Sequence, residues 1–262
     1  MRTALIQLKA GTDKSRNVEK SVDYVNKAAD KKAEFVLLPE IFNFRGKIGK
    51  QVFRGICENI PGESLNPLID IAAKRKIYIL AGSIYEKAKG SVKAYNSSIF
   101  ISPRGIEAVY RKQHLFSFLG QGISEEDVFL PGKENVRVDI KGFKAGLAIC
   151  FDLRFPDMFA QYAKQGVDMF CVPSAFLKET GKAHWEILLR CRAIDNLCYV
   201  LAPNQCGIDN RGIEMFGNSM VVSPWGEILV QASANKEEII FADIKRKDLI
   251  KFRKKLGNKG NI

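Results

Sequence analysis

Histidine is almost absent from this 262-residue chain, which holds only His114 and His184. That scarcity starves mechanisms that need an imidazole base or a set of histidine metal ligands. His184 opens a helix face that continues as Ile187 and Leu188, as a core or capping histidine would. His114 lies where a strand runs out and stays available as a base. The six cysteines (57, 150, 171, 191, 198 and 206) include no C-x-x-C pair and no regular framework. They are expected to be reduced thiols in a cytoplasmic protein. No apolar run approaches the roughly 18 residues of a bilayer span, and the opening segment meets Lys9 before a signal-peptide core can form. Neither a G-x-x-x-x-G-K-[ST] loop nor a G-x-G-x-x-G turn after a strand is present, so nucleotide binding has no support. No metal or cofactor is expected. Acidic residues are in deficit, 29 against 41 basic, for a formal charge of +12. Much of the excess lies from Lys245 onward, where eight Lys and Arg stand against one Asp. A solvated last helix accounts for that tail; a nucleic-acid contact is the alternative.

What is present is an ordinary packed chain, 46% hydrophobic and 27% charged, which excludes disorder. Strand-like and helix-like segments alternate without a linker or repeat, so residues 1–262 read as one domain with a basic helix or tail from about 245. Ala4 to Leu8 and the apolar run Ala33 to Leu38 read as strands, the second buried on both faces. Val18, Val22, Val25 and Ala29 recur at helical spacing. A second helix is entered at Ser64, with Pro67 in its first turn. Strands are predicted at Ile77 to Tyr85, Tyr95 to Ile101 and Ile106 to Tyr110, then at Val136 to Ile140 and Lys144 to Cys150. Asp168 to Val172 and four later segments complete about a dozen, against five helices. The longest helix should bury Ile187, Leu188, Cys191, Ile194 and Cys198. Hairpin turns at Ser102 to Gly105 and Ser223 to Gly226 add antiparallel pairs to buried strands. That mixture predicts an α/β protein of two mixed sheets packed together, with helices on the outer faces.

Three residues stand where core should give way to chemistry. Glu40 follows the buried run Phe35-Val36-Leu37-Leu38-Pro39, and a carboxylate there is costly unless paired. Lys112 ends the strand that runs through Tyr110 and Arg111. Cys150 closes Gly146-Leu147-Ala148-Ile149 and precedes a helix, as a nucleophile elbow does. There the next backbone N–H groups face an oxyanion.

With their flanks, these residues give the chain its resemblance to the nitrilase superfamily of carbon–nitrogen hydrolases. The matching segments are Leu37-Pro39-Glu40, Tyr110 to Phe116, Gly146 to Pro156, Thr180 to Glu186, Arg192 to Asn196 and Ser223 to Glu227. They follow the family's order and span nearly the whole chain. The resemblance implies a four-layer α-β-β-α sandwich that forms a homodimer or higher homo-oligomer, and a Glu-Lys-Cys triad. In that triad Glu40 is the general base, Lys112 the oxyanion stabiliser and Cys150 the nucleophile. A second family glutamate falls on Glu125, or on Glu126 if the loop is shifted by one. Cys150-Phe151-Asp152 resembles the Nit-type branch, which hydrolyses ω-amides of keto acids or deaminated glutathione. Asn218 stands where relatives commonly have His, Asp157 where Glu is usual, and the closing tail is atypical.

The activity implied is a thiol-dependent amidase releasing acid and ammonia from a small, carboxylate-bearing amide through a cysteine thioester. An N-carbamoyl amide hydrolase on the same triad is the alternative, and a non-catalytic nucleic-acid-binding protein is the alternative of another class. Substrate contacts are expected from Phe151, Arg154 and Phe176. Arg154 either clamps a substrate carboxylate or holds the elbow through an ion pair with Asp152 or Asp157.

Overall fold

In strand β1 (Arg2–Gln7), Leu5 packs towards one side of its sheet while Ala4 and Ile6 pack towards the other. The same alternation runs through β2 (Phe35–Leu37) and β3 (Tyr78–Leu80), as a period of two requires. Both faces are apolar, so the sheet must be covered twice. A computed structural model, describing residues 1–118 and 123–256, shows how.

The first sheet adds β4 (Ile84–Lys87), β5 (Ala94–Ser102), β6 (Gly105–Arg111) and β17 (Glu238–Asp243). Its order is β17-β1-β2-β3-β5-β4, with β6 paired to β5 and β1-β2-β3 parallel. Helices α1 (Lys14–Asp30) and α3 (Asn66–Arg75) cover one face with Val18, Val25, Leu68 and Ala72. The second sheet runs β16 (Ile228–Gln231), β15 (Met220–Val222), β12 (Tyr199–Ala202), β11 (Met169–Cys171), β10 (Phe143–Leu147) and β9 (Arg137–Ile140). Its centre, β10-β11-β12, is again parallel. Helices α4 (Pro156–Lys164) and α5 (Lys178–Asn196) pack there through Phe159, Tyr162, Trp185 and Leu189. Leu5, Phe35, Leu37 and Leu80 of the first sheet join the apolar cluster of the second. The result is the predicted α-β-β-α sandwich.

Several expectations need correction. The strand expected from Ile77 to Tyr85 is two strands, because Gly82 turns the chain at φ +33°. A Cβ at Gly82 would lie 1.9 Å from the Pro39 carbonyl oxygen, so the two segments touch backbone to backbone. Ser64 does not cap α3; Leu65 is the N-cap, and the Ser64 hydroxyl is bonded to buried Glu58. Helix α5 buries Gly181, Trp185, Leu189, Arg192, Ala193 and Asn196, leaving Ile187, Cys191 and Ile194 exposed. Polar anchors decide that rotation: the Trp185 indole donates to Asn218 O at 2.8 Å, and Arg192 Nε to Leu153 O at 3.1 Å. Sequence patterning also omits α2 (Lys50–Ile56) and two hairpins, β7 (Ser117–Phe118) with β8 (Ile123–Ser124) and β13 (Cys206–Ile208) with β14 (Glu214–Phe216). The basic helix is α6 (Arg246–Lys255), held by Arg253, which donates to Val167 O and Asp168. The end of the expected tail, 257–262, lies outside the described residues.

Candidate active site

Parallel strands of both sheets end at one place. Glu40 lies three residues past the end of β2, Cys150 three past the end of β10, and Lys112 one past β6. Open α/β sheets put their sites at such carboxyl ends. The strand expected to carry Cys150 stops at Leu147, and Cys150 opens a 3₁₀ helix over Cys150–Arg154 at φ +46°. That left-handed backbone costs a side-chain-bearing residue about 1–3 kcal/mol. Asp152, fully buried, offsets it by accepting from Ile149 N at 2.9 Å, the Tyr110 hydroxyl at 2.6 Å and His114 N at 2.9 Å. His114 Nδ1 lies 2.8 Å from the same carboxylate and its ring stacks on Phe155. His114 therefore braces the turn. His184, expected in the core or at a cap, is exposed and sits 3.1 Å from Arg154.

Lys112 reaches Glu40 Oε1 at 2.8 Å and Glu125 Oε1 at 2.9 Å with a side chain wholly buried. Glu40 also accepts from Asn96 Nδ2 at 2.9 Å and Ala175 N at 2.8 Å. Gln205 donates to the Glu40 carbonyl at 3.0 Å. Glu125 accepts from Phe116 N at 2.8 Å, whereas Glu126 is exposed and uses only its carbonyl, towards Lys93. Of the two positions, Glu125 is the one brought to the cluster.

Burial alone would neutralise these groups. For Glu40 it pushes the carboxyl up, but Lys112 and the Cys150 thiol outweigh it and hold the group below its usual range. Lys112 loses to burial and gains more from Glu125 and Glu40, so its ammonium is fixed. Glu125 goes the other way: desolvation, aided by Glu40, outweighs Lys112 and lifts its carboxyl. Burial and the Glu40 charge push the Cys150 thiol well up. At rest the site holds a thiol beside a carboxylate. Removing ions from water costs several kcal/mol each, and an apolar trio of similar size would be cheaper. Stability does not explain this cluster; chemistry does.

Cys150 opens on two recesses. The smaller is lined by Phe116, Phe151, Arg154, Phe176 and Thr180. Arg154 lies over the Phe151 and Phe176 rings, with its guanidinium carbon 5.7 and 5.6 Å from their centroids. No carboxylate among the described residues pairs with it, which corrects the expected ion pair to Asp152 or Asp157; Asp152 is spent on the elbow. Asn218 lines neither recess. The larger cavity, about 440 Å³, is lined by Glu40, Glu125 and Tyr85 and also by Arg45 and Arg211. Sequence reasoning missed both arginines. They come from loops without periodicity, and only folding brings positions 45 and 211 together.

A buried thiol beside an ionised carboxylate and an ammonium, on a four-layer frame, defines a thiol-dependent hydrolase of amide bonds. The chain belongs to the carbon–nitrogen hydrolases, whose family model matches residues 2–254. It is an amidase. It is 38% identical over 259 residues to the omega-amidase NIT2 of Homo sapiens, covering 97% of this chain and 92% of that protein. Among solved structures it is similar to Saccharomyces cerevisiae Nit3, a member of branch 10 of the nitrilase superfamily. That likeness has a TM-score of 0.87 and 30% identity over 99% of this chain and 95% of the yeast one. It is also similar to a glutamate-to-glutamine mutant of the amidase from Nesterenkonia sp. AN1, which shows Michael addition of acrylamide at its active-site cysteine. There the TM-score is 0.81 and the identity 26%, with 98% of each chain covered.

Proposed function

We propose that the protein hydrolyses a short primary amide carrying a carboxylate at its far end, releasing ammonia. Cys150 is the nucleophile, Glu40 the general base and Lys112 the electrophile. Attack of sulfur on the amide carbonyl passes the thiol proton to Glu40, the ionised carboxylate against the thiol. The oxyanion is met by the N–H of Lys112 that its two carboxylates leave, and by Phe151 N–H at the start of the 3₁₀ turn, where helix donors lack intrahelical partners. Glu40 then gives its proton to the departing nitrogen and takes another from water that cleaves the thioester. Glu125, with its raised affinity for a proton, steadies Lys112 without competing as base.

One observation carries the substrate: Arg154 has no carboxylate partner among the described residues and lines the smaller recess, over two phenyl rings. Phe151 and Phe176 grip the short chain and Arg154 its carboxylate. The similarity to an omega-amidase supports the same class. We place the enzyme in the cytoplasm, which suits six unpaired cysteines, and read residues 1–262 as one domain. No helix among the described residues is long and apolar enough to cross a membrane.

The test is ammonia release across primary amides with anionic and neutral tails, ureido acids and nitriles. Carboxylate-tailed amides should rank first, with Cys150→Ala inactive yet folded. Arg154→Ala should raise KM for them about tenfold or more while sparing propionamide. Neutral amides ranking first in the wild type would sink the carboxylate assignment and leave the thiol chemistry standing.

A further inference from the structure

Lys50, Phe53, Arg54 and Cys57 fall at the spacing of one helix face on α2 and its C-cap. With the end of β4 and the turn that joins it to β5, that segment encloses a hollow of about 810 Å³. The hollow shares no lining residue with either recess at Cys150. Its size suits a small molecule, whose sites commonly measure about 300–1,000 Å³.

Its charge is all of one sign. Lys50 and Arg54 line it from α2, and Lys87, Lys89 and Lys93 from the other side, while among the described residues no Asp or Glu does. Lys50, Arg54, Lys87 and Lys89 make no ion pair among the described residues. Lys93 Nζ donates to the Glu126 carbonyl at 2.7 Å, which leaves its charge uncompensated. Lys50 and Arg54 stand four apart on a seven-residue helix that no side chain caps, and like charges at that spacing weaken a helix already short. A concave wall of one sign focuses the field and draws counter-ions into it. Apolar side chains join the cations: half-buried Phe53, and Val92 of the turn, which is 90% exposed.

We propose that this hollow binds a small organic polyphosphate, with its phosphates on Arg54 and the lysines and a flat ring on Phe53 and Val92. So many cations in one hollow call for several anionic groups close together, and phosphate oxygens accept well from both guanidinium and ammonium. The donors are side chains, so no glycine-rich loop is needed. Behind the site, Phe53 shares an apolar cluster with Ile41, Ile48, Tyr85 and Phe129, and these four line the catalytic cavity. A ligand that ties α2 to the turn therefore also steadies that wall.

Titration calorimetry on the full chain tests this, with ATP and with inorganic tripolyphosphate in magnesium-free buffer at physiological salt. Each should bind once per chain, ATP at least about fivefold more tightly because its base stacks. Arg54→Glu with Lys87→Glu should weaken both at least about tenfold and leave ammonia release unchanged. Arg54→Gln with Lys87→Gln, which only removes charge, should give an intermediate loss. Lys247→Glu with Lys254→Glu on α6 makes the same change in net charge at exposed positions and should alter affinity less than about twofold. Bound ATP should also slow amide exchange over residues 50–57. Equal affinities for the two anions would remove the ring from Phe53. The site itself falls if neither anion saturates at millimolar concentration, or if both charge-reversed pairs weaken binding alike, leaving only the net charge of the chain. It falls too if Arg45→Ala with Arg211→Ala abolishes binding, which would seat the anion in the catalytic cavity.

Discussion

Lys112 spends a charge where no solvent reaches it, and two carboxylates hold it there. Removing Lys112 leaves two buried carboxylates without a cation, whereas removing either carboxylate leaves Lys112 paired with the other, so the substitutions should differ in kind. Glu40→Gln keeps the shape but loses the base. Its NH2 cannot accept as one of the two carboxylate oxygens does, from Lys112 and Asn96 or from Ala175 N. The drop in kcat should be at least about 10²-fold. Lys112→Ala should cost about 10²–10³ in kcat through the lost oxyanion donor, and stability as well, because Glu40 and Glu125 are then left facing each other. His114→Ala should loosen the elbow far more than it slows chemistry, and His184→Ala should do little. The pH profile separates these roles. Glu40 is held below its ordinary carboxylate range, so it stays ionised through neutrality, and the stability it lends is lost only as pH falls through that depressed value. Activity should therefore be flat from pH 8 to 6, measured as kcat/KM. Activity lost across that range in the wild type but retained in His114→Ala would put an imidazole back in the mechanism.

At the scale of elements, two glycines let reactive segments lie against their neighbours. Gly82 packs on the Pro39 carbonyl beside Glu40. Gly132 packs on the Arg111 carbonyl beside Lys112, where an added Cβ would come within 2.1 Å of oxygen. Gly82→Ala should shift the Glu40 peptide and lower kcat more than it raises KM. Unchanged kinetics with a normal melting temperature would show that the loop yields elsewhere. These contacts also mark where sequence stops being legible. Lys112 follows Arg111 on a strand of mixed burial and is legible only together with the family's flanking segments, whereas Glu40 and Cys150 could be found because each follows an apolar run. The face of α5 could not, because its anchors are Trp185, Arg192 and Asn196, and a polar residue with a buried partner looks like a surface residue until the partner is seen. Helix α2 is short, and the β13–β14 hairpin has three-residue strands, so neither builds a period. Arg45 and Arg211 leave no pattern at all, since their meeting is a property of the closed fold.

At the scale of the whole molecule, the outer face of α5 carries exposed apolar side chains among the described residues. Ile187 is 63% exposed and Ile194 47%, on the outer face of α5 with Cys191 between them. Trp225 and Ile250 are also exposed. We propose that a second copy of the chain covers this face in a homodimer, a self-complementary use of one patch on each subunit. Ile187→Glu with Ile194→Glu should shift sedimentation towards the monomer while far-ultraviolet circular dichroism stays unchanged. Wild type sedimenting as a monomer at micromolar concentration would refute it.

Glu40 and Lys112 hang from one sheet and Cys150 from the other, so the distance between the reacting groups is also the alignment of two layers. The enzyme works as a caliper on its own core. A slip between the sheets too small to expose a single leucine would part thiol from carboxylate, since misplacement by about 1 Å can cost about 10²-fold in rate. Mild denaturant should therefore silence turnover at concentrations where circular dichroism and tryptophan fluorescence still report a folded protein. Coincident midpoints would mean instead that the layers part only when the whole chain unfolds.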